Sequence, residues 1–312
     1  MNLTEEEKQI FCEVADTKKD GVFEIPEGAY NFRVNGKAVS RNSTDNINIK
    51  TKKSNSGLEI HIKENTKNEQ VHIPVAISTA GIKETVHNDF YIGENAEVTI
   101  IAGCGIYNCG PTDSVHDGIH RFFVGKNAKI TYIEKHYGFG QGRGGKILNP
   151  TTELHLDKGS EAELIMEQIK GVDSTIRKTT ATLEENAKLI VKERLMTHGR
   201  QTAESIYCVE LNGEDSTTTI ASRSVAQDLS KQTFRSKIIG NNKCRGHSEC
   251  DAIIMDEAKV SAIPSLDANC VDAELIHEAA IGKIAGEQII KLMTLGLTRQ
   301  EAESRVINGF LR

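Results

Sequence analysis

The sequence predicts a mainly β protein built as a solenoid, with a short helix at its start and two at its end. Three observations carry this prediction. From about residue 22 apolar and polar residues alternate, as in Leu58-Glu-Ile-His-Ile-Lys63, which is the period of a half-buried strand. No long helical pattern returns until about residue 286. A unit made of a turn, a small residue and a short strand recurs between these limits.

The recurring unit gives the solenoid its expected coil length. It begins Gly93-Glu-Asn-Ala96 in one copy and Gly125-Lys-Asn-Ala128 in the next. The small residues recur at intervals near 30 residues or half of that, at Ala96, Ala128, Ala162, Ala187, Ser216, Ala258 and Ala273. A β repeat of roughly 30 residues is typical of a solenoid whose coils stack about 4.8 Å apart. A plain β-sandwich with coincidental turns is the alternative.

Helical patterns stand at both ends of the chain. Residues 4–16 open with a capping-box pattern and carry a narrow apolar stripe. Residues 286–296 form a second helical pattern that ends in glycine, and another capping box opens a third helix at Thr298. We therefore divide the chain into an N-terminal helix over 1–20, a β-helix core over 21–285 and C-terminal helices over 286–312.

Composition narrows the class of protein. The 312 residues carry a net charge of −6 with no block of like charge, which argues against nucleic acid as a main partner. The acidic, polar first residues predict no signal peptide. No apolar run reaches the roughly 18 residues of a membrane span, so we expect a cytoplasmic protein. Seven cysteines without an export signal predict free thiols, some of them used for metal or sulfur chemistry.

The stretch from Cys244 to Glu278 concentrates side chains that bind iron and zinc. Its candidate ligands are Cys244, His247, Cys250, Cys270, His277 and Glu278. No Cys-x-x-Cys pair occurs, so these groups must meet across the fold and not within one loop. Glu278 and His277 follow Cys250 by 28 and 27 residues, close to one coil, which predicts that they lie above it on the neighbouring strand. Because His277 and Glu278 are adjacent, only one of them can face the same side as Cys250.

A second ligand-rich patch lies near the middle of the chain, at Cys104, Cys109, His116 and His120. Its spacing fits either a metal or sulfur site or a loop beside the core. Asp113, Ser114 and His116 resemble a hydrolase triad only in composition, because no nucleophile elbow surrounds Ser114. The glycine-rich segment 140–146 lacks the Ser or Thr and the helix of a P-loop. We therefore expect ATP hydrolysis to come from a partner.

From Ser224 to Arg312 the chain resembles the SufB/SufD family of iron–sulfur cluster assembly proteins. The residues that carry this resemblance are Gly246-His247-Ser-Glu-Cys250-Asp251, Val260-Ser-Ala-Ile-Pro264, His277-Glu278-Ala-Ala-Ile-Gly282, Glu287-Gln-Ile-Ile-Lys-Leu, Met293-Thr-Leu-Gly296-Leu-Thr-Arg-Gln-Glu301 and Ile307-Asn-Gly309-Phe310. Upstream, the segment from His120 to Tyr132 also looks like the family's core strands, so the resemblance covers roughly residues 85–312.

The resemblance implies a right-handed parallel β-helix and a dimer formed through its last strands. It also implies that the terminal helices bind a SufC-type ATPase, and that the complex builds a transient iron–sulfur cluster for apo-proteins. By motif, Cys250 matches the family's proposed cluster or sulfur-accepting cysteine, and His277 and Glu278 match its proposed ligands. His247 lies where a SufD-type partner is thought to contribute a histidine. Cys244, Cys270, Cys104 and Cys109 are further candidates.

Some residues depart from the family pattern. Most of the family's large N-terminal domain is missing, and Ile276 stands where a carboxylate often precedes the His-Glu pair. SufD-type members generally lack a cysteine at the position of Cys250, so its presence favours a SufB-like scaffold. A homodimer, in place of a SufB–SufD heterodimer, fits this pattern and can supply ligands from both subunits.

Three functions compete on the sequence. The first is a non-enzymatic scaffold that receives sulfur from a donor and builds a cluster. The second is a SufD-like adaptor that recruits the ATPase without a cluster of its own. The third is a β-helix enzyme acting on polysaccharides, which the lack of Trp and the 5% aromatic content disfavour. The sequence leaves open the cluster type, the sulfur donor and the participation of a flavin.

Overall fold

The computed structural model describes residues 2–15, 17–19, 22–53 and 56–311. In this part of the chain two ten-stranded sheets face each other and wind together as a parallel β-helix of about 8 turns. From β6 onward, the strands alternate between the sheets, apart from the broken strand β12 and β13, and pair in parallel with strands one coil away. The predicted solenoid is therefore confirmed, and the sandwich alternative is wrong.

The helices are α1 (Glu5–Val14), α2 (Gly286–Thr294) and α3 (Arg299–Phe310). The strands, in chain order, are β1 (Lys18–Lys19), β2 (Val22–Phe23), β3 (Ala29–Val34), β4 (Lys37–Asn42), β5 (Ile47–Thr51), β6 (Gly57–Ile62), β7 (Lys67–Ile77), β8 (Lys83–Ile92), β9 (Glu97–Tyr107), β10 (Ser114–Val124), β11 (Lys129–Phe139), β12 (Lys146–Leu148), β13 (Thr151–Leu156), β14 (Glu161–Lys170), β15 (Ser174–Leu183), β16 (Lys188–Thr197), β17 (Thr202–Leu211), β18 (Ser216–Ala226), β19 (Lys231–Gly240), β20 (Cys244–Ile254), β21 (Lys259–Ala268) and β22 (Ala273–Gly282).

One sheet runs in the order β5, β6, β8, β10, β12 with β13, β15, β17, β19 and β21. The other runs β4, β3, β7, β9, β11, β14, β16, β18, β20 and β22. Strands β1 and β2 form a separate antiparallel pair.

The recurring unit of the sequence is the tight turn that enters each strand of the second sheet. Asn95 and Asn127 adopt the left-handed conformation, with φ of 57° and 54°, which Asn tolerates better than most residues. The small residue that follows, Ala96 or Ala128, is fully buried where the chain turns inward. Two assignments in the series were wrong. The third copy uses Ser160 instead of Ala162, and Ala258 precedes a strand of the other sheet.

The start of the solenoid is covered. Strands β4 and β5 pair antiparallel with their neighbours and close the first coil. Helix α1, with the predicted capping box at Thr4, lies on the outside of β7, β9 and β11. Its close approach depends on Gly103 and Gly105, because a Cβ there would lie 2.3 Å from the Val14 carbonyl oxygen and 2.4 Å from the Ile10 side chain.

The far end of the solenoid is open. Strands β21 and β22 are the last of their sheets within the described residues, and both are largely exposed. Helix α3 packs on Val225 of β18 through Ile307, with Leu311 directly after the helix, whereas α2 buries only Ile289. Across the described residues, the helices are all too short or too polar to cross a membrane.

The interior of the solenoid has an apolar half and a polar half. The apolar half contains stacked rows of aliphatic and aromatic side chains, including Phe90 and Phe122, whose ring centroids are 4.5 Å apart. The polar half forms where the first sheet's strands begin and the second sheet's strands end. Its inward side chains include Cys104, His116, His120, Glu134, His136, Arg177, Glu193, Ser222 and Cys250.

Arg177 neutralises the centre of the polar half. It forms an ion pair with Glu134 and places its Nε 3.5 Å from Glu193 Oε1, and all three side chains are 3% exposed. Burial alone would raise the pKa of Glu134, but the Arg177 guanidinium lowers it to about 2. Because this pKa lies below that of an unfolded glutamate, the ionised pair stabilises the fold at neutral pH. That contribution is lost as the pH falls from about 4 toward 2.

We expect Arg177→Met to lower the free energy of unfolding by about 3–5 kcal/mol, because two buried carboxylates lose their cation. Urea unfolding at neutral pH measures this loss. Arg235→Met is the matched control, since Arg235 pairs with Glu204 on the surface and should cost at most about 1 kcal/mol. Equal losses in the two variants would show that Arg177 does not hold the interior together.

Candidate functional site

The last two strands of the second sheet position the predicted ligands. Along β20 inward and outward side chains alternate, and Cys250 faces the interior with 1% of its surface exposed. Cys250 pairs with Ala279, and Glu249 pairs with Glu278. The predicted stacking of Glu278 above Cys250 is therefore off by one residue, because the paired positions are 29 residues apart and not 28. This difference places Glu278 on the outer face, opposite to the Cys250 side chain.

His277 is the predicted ligand that shares the interior with Cys250. It pairs with Ser248, which is fully buried, so both side chains point inward on neighbouring rungs. The Nδ1 atom of His277 is buried without a hydrogen-bond partner. Burial lowers the pKa of this imidazole, which favours the neutral form that binds metals. On the inner face of β20 and β22, a buried thiol and an imidazole nitrogen without a hydrogen-bond partner therefore lie two register positions apart.

His247 and Glu278 meet on the outer face of the same two strands. Their Nε2 and Oε2 atoms are 3.2 Å apart, and the side chains are 35% and 66% exposed. Nearby on β20, Glu249 has a raised pKa because it shares a hydrogen bond with Asp251. The structure therefore divides the four main candidates into an inner pair, Cys250 with His277, and an outer pair, His247 with Glu278. Within the described residues, no three ligating side chains converge to hold a metal ion.

Cys250 is held as a neutral thiol in the interior. Burial raises the pKa of Cys250 to about 12, with the carboxylates of Glu193 and Asp251 adding to the effect. Ser222, one coil below, is the register partner of Cys250. It donates a hydrogen bond of 2.7 Å to Glu193, which lies two coils below Cys250. Because the thiolate is the form that binds metals and attacks sulfur, binding at Cys250 must displace a proton.

Two further cysteines of this stretch lie away from Cys250. Cys244 also faces the interior and is buried, but it is six residues from Cys250 on the same strand, or roughly 20 Å. Burial raises its pKa, with Cys270 close enough to contribute. Cys270 is half-buried in the turn before β22. These two cysteines form a separate pair at the opposite edge of the last coil.

The structure also separates the cysteines of the patch near the middle of the chain. Cys104 is buried on β9, whereas Cys109 is exposed in the loop that follows. The pKa of Cys109 is lowered by a hydrogen bond with Tyr107 and by backbone N–H groups of Gln141 and Gly142. The glycine-rich segment 140–145 is a loop packed on residues 108–113, followed by the short strand β12. It is a structural loop and has no P-loop helix.

His116 and His120 join Cys104 in the interior, but their environments differ. His116 Nδ1 lies 3.0 Å from Glu84 Oε1. Burial alone would lower the pKa of His116, but Cys104 and Glu84 raise it to about 10. His120 Nδ1 lies 2.7 Å from the hydroxyl of Tyr132. The partner of His116 is thus Glu84 and not Asp113, which accepts a hydrogen bond from the Gly145 backbone. No Asp-Ser-His triad forms here.

Hydrogen bonds and ion pairs run through the polar half of the interior, between the buried thiols Cys104 and Cys250. Tyr132 donates a hydrogen bond to Glu134 at 3.0 Å, Glu134 pairs with Arg177, and Arg177 contacts Glu193. Sequence reasoning missed Glu134, Arg177 and Glu193. The available signal was a charged residue at an inward, otherwise apolar position of an alternating strand, as in Leu189-Ile-Val-Lys-Glu193-Arg-Leu195.

The chain was compared with known protein families and curated proteins. The family described as SUF system FeS cluster assembly, SufBD core domain, matches residues 76–310. An iron-sulfur cluster assembly SufBD family protein of Archaeoglobus fulgidus is 33% identical over 234 residues, covering 73% of this chain and 61% of that protein. The MTH1150 homolog of Methanothermobacter thermautotrophicus, described in the same words, is 30% identical over 242 residues, covering 75% of this chain and 57% of that protein.

A third relative matches this chain over more of its own length. MJ0034 of Methanocaldococcus jannaschii, another iron-sulfur cluster assembly SufBD family protein, is 28% identical over 244 residues, covering 77% of this chain and 76% of that protein. The first two relatives are longer, and this chain spans about three fifths of each. Since the family match covers most of the parallel β-helix and both C-terminal helices, the chain belongs to the SufBD family of iron-sulfur cluster assembly proteins.

Proposed function

We propose that this protein is a non-enzymatic scaffold for iron–sulfur cluster assembly, with Cys250 as its principal ligand. The observation that carries the proposal is the inner pair, in which a buried thiol lies beside an imidazole with an unused nitrogen at the open end of the solenoid. Thiolate, imidazole and carboxylate ligands together hold a cluster less firmly than four thiolates do. Such a ligand set suits a cluster that is cargo for apo-proteins.

The scaffold works as a homodimer in this proposal. Among the described residues nothing pairs with the outer edges of β21 and β22. These strands carry exposed apolar side chains, among them Ile263 and Ile276, which are 43% and 56% exposed. An exposed edge of ten residues is a template for pairing with another chain. Pairing of two copies brings a second Cys250 and a second His247 to the seam, and these supply the ligands that one chain lacks.

Sulfur reaches the cluster from a separate donor, and Cys104 is the second thiol we assign to sulfur handling. It is buried at the other end of the polar interior from Cys250. The hydrogen-bonded and charged groups between the two thiols make this half of the interior suitable for polar or anionic species. The proposed setting is the cytoplasm, where thiols stay reduced.

We expect Cys250→Ala to abolish cluster formation when the anaerobic protein is reconstituted with iron and sulfide, because the strongest ligand is lost. Visible absorption and iron content measure the cluster. Cys208→Ala is the matched control, since Cys208 lies on the outer face of β17 and should not affect the absorption band. An unchanged band in Cys250→Ala would contradict the site. A wild-type complex that never gains iron would favour the SufD-like adaptor.

We expect Ile276→Glu to prevent dimer formation, because it replaces an exposed apolar side chain at the edge of the last strand by a charge. Sedimentation velocity measures the change from dimer to monomer. The control is Ile176→Glu, which introduces the same charge at a 42% exposed position of β15, far from the open end. A wild-type monomer, or a dimer that persists in Ile276→Glu, would exclude this interface.

A SufC-type ATPase is the proposed partner of the C-terminal helices. Helix α3 is anchored on the solenoid, whereas α2 exposes Ile290 and Met293, and Leu295 is exposed directly after it, at 63%, 43% and 76%. This apolar surface beside an anchored helix offers a docking site for another protein.

We expect Ile290→Glu to weaken binding of the ATPase at least tenfold, because the substitution buries a charge in an apolar contact. Isothermal titration calorimetry with the purified ATPase measures the affinity. Ser304→Glu, which introduces the same charge at an exposed position of α3, is the control. Unchanged affinity in Ile290→Glu would exclude α2 as the contact.

A further inference from the structure

Four ring side chains form a row on the outside of the first sheet. His61, Tyr91, Phe123 and His155 are register partners on β6, β8, β10 and β13. Their ring centroids are 4.8, 5.1 and 5.3 Å apart along the row, and neighbouring ring planes lie within 13° of parallel. The two central rings, Tyr91 and Phe123, are each 37% exposed. Stacking therefore covers the faces of these rings and leaves their outer edges in solvent.

An outward ring of the second sheet is covered by the chain itself. Tyr137 on β11 accepts a hydrogen bond of 3.0 Å from Gln9 of α1 and packs with the apolar side chains of that helix. The row on the first sheet stays exposed at its centre. Clustered apolar surface that the fold leaves uncovered is a candidate for contact with another molecule.

A groove of about 420 Å³ runs beside the row of rings. Its floor beside the two central rings is formed by Gly93 and Gly125, which follow β8 and β10 directly. The floor is fixed by packing, because a Cβ at Gly93 would lie 2.3 Å from the backbone nitrogen of Glu64. The centre of the groove is therefore bare backbone with an aromatic wall, in the size range of ligand-binding clefts.

The groove carries opposite charges at its two ends. Lys63 precedes Gly93 by one coil, and Asp157 follows Gly125 by one coil at the same position. Many outward charges of the solenoid pair between coils, as Lys158 does with Glu185 at 2.8 Å. Across the residues that the structure describes, neither Lys63 nor Asp157 forms an ion pair. Both are exposed, so each can pair with a charge on another molecule.

The spacing of these charges fits an extended peptide that runs along the solenoid axis. Lys63 and Asp157 are three coils apart, which is roughly 14 Å at the spacing of neighbouring strands. In an extended chain, residues i and i+4 lie about 13 Å apart on one face, with residue i+2 between them. A carboxylate at i then meets Lys63, and a cation at i+4 meets Asp157. The side chain at i+2 lies over the glycine floor, against the edges of Tyr91 and Phe123.

We propose that this groove docks an extended segment of a partner protein, in which an acidic, an aliphatic and a basic residue occupy positions i, i+2 and i+4. The rings and the glycine floor recognise the aliphatic side chain, and the end charges set the register. The groove lies on the first coils, so it can be occupied while the last coil holds other partners. The inference is independent of Cys250 and of cluster binding.

The test uses the full chain and the blocked peptide acetyl-Glu-Thr-Leu-Thr-Lys-amide, with binding followed by microscale thermophoresis. We expect saturable binding with a Kd below about 1 mM. Replacing the leucine of the peptide by threonine should weaken binding roughly tenfold, because the apolar contact is lost. Phe123→Ala should weaken it to a similar degree, since the groove loses part of its wall. Cys250→Ala should bind the peptide as the wild type does.

A charge swap separates recognition from structure. Lys63→Glu should weaken binding of this peptide about threefold. It should also prefer a second peptide, in which lysine replaces the glutamate, because the new carboxylate pairs with that lysine. Lys178→Glu, the same change at an exposed position of β15, is the matched control and should keep the wild-type preference.

Two results with the peptides would overturn the inference. One is a wild-type protein that shows no saturable binding, and the other is an unchanged peptide preference in folded Lys63→Glu. Sedimentation velocity supplies a third check. An association state that changes in folded Phe123→Ala would identify a second copy of the chain as the occupant and would refute the peptide site.

Discussion

The parallel register between coils is the constraint on which the rest of the structure depends. Each strand of the second sheet pairs with the strand one coil further on, so the in-and-out alternation of side chains is copied from coil to coil. Ser222, Cys250 and Ala279 therefore form one inward column, and Glu249 and Glu278 form one outward column. Lengthening or shortening one coil by a single residue would exchange these faces and disperse the inner pair.

A solenoid with a charged interior must neutralise its buried groups coil by coil. Arg177 does so for two glutamates at once, and its loss would leave both of them without a counter-charge. The two buried thiols, Cys104 and Cys250, have different electrostatic surroundings in this interior. Cys104 has the imidazole of His116 as a neighbour. Burial, with the nearby carboxylates adding to it, raises the pKa of Cys250 to about 12.

The two ends of the solenoid differ in how far they are covered. At the start, antiparallel strands and α1 cover the first coils, and Gly103 and Gly105 allow the helix to lie directly on the strand that carries Cys104. At the end, the edges of β21 and β22 and the outer pair are exposed across the residues that the structure describes, and Cys250 is buried directly beneath them. Exposed strand edges favour association, which agrees with the proposal that ligands come from two subunits.

The sequence by itself determined the architecture and indicated the region of the candidate site. Alternating hydrophobicity and the Asn-Ala turns are local features, because a left-handed Asn followed by a buried small residue forms the same turn wherever it occurs. The capping boxes at Thr4 and Thr298 are likewise local and were predicted correctly. The clustering of Cys, His and Glu between residues 244 and 278 indicated that the last coil holds candidate metal ligands.

Only the tertiary structure decided which of these side chains meet. The 29-residue offset between Cys250 and its partner depends on the length of the turns between strands, and a one-residue error there moves Glu278 to the opposite face. The grouping of Glu84 with His116, and of Glu134 with Arg177 and Glu193, spans separate coils of both sheets. No local pattern records which inward positions face each other across the interior, because that contact is fixed by the stacking of whole coils.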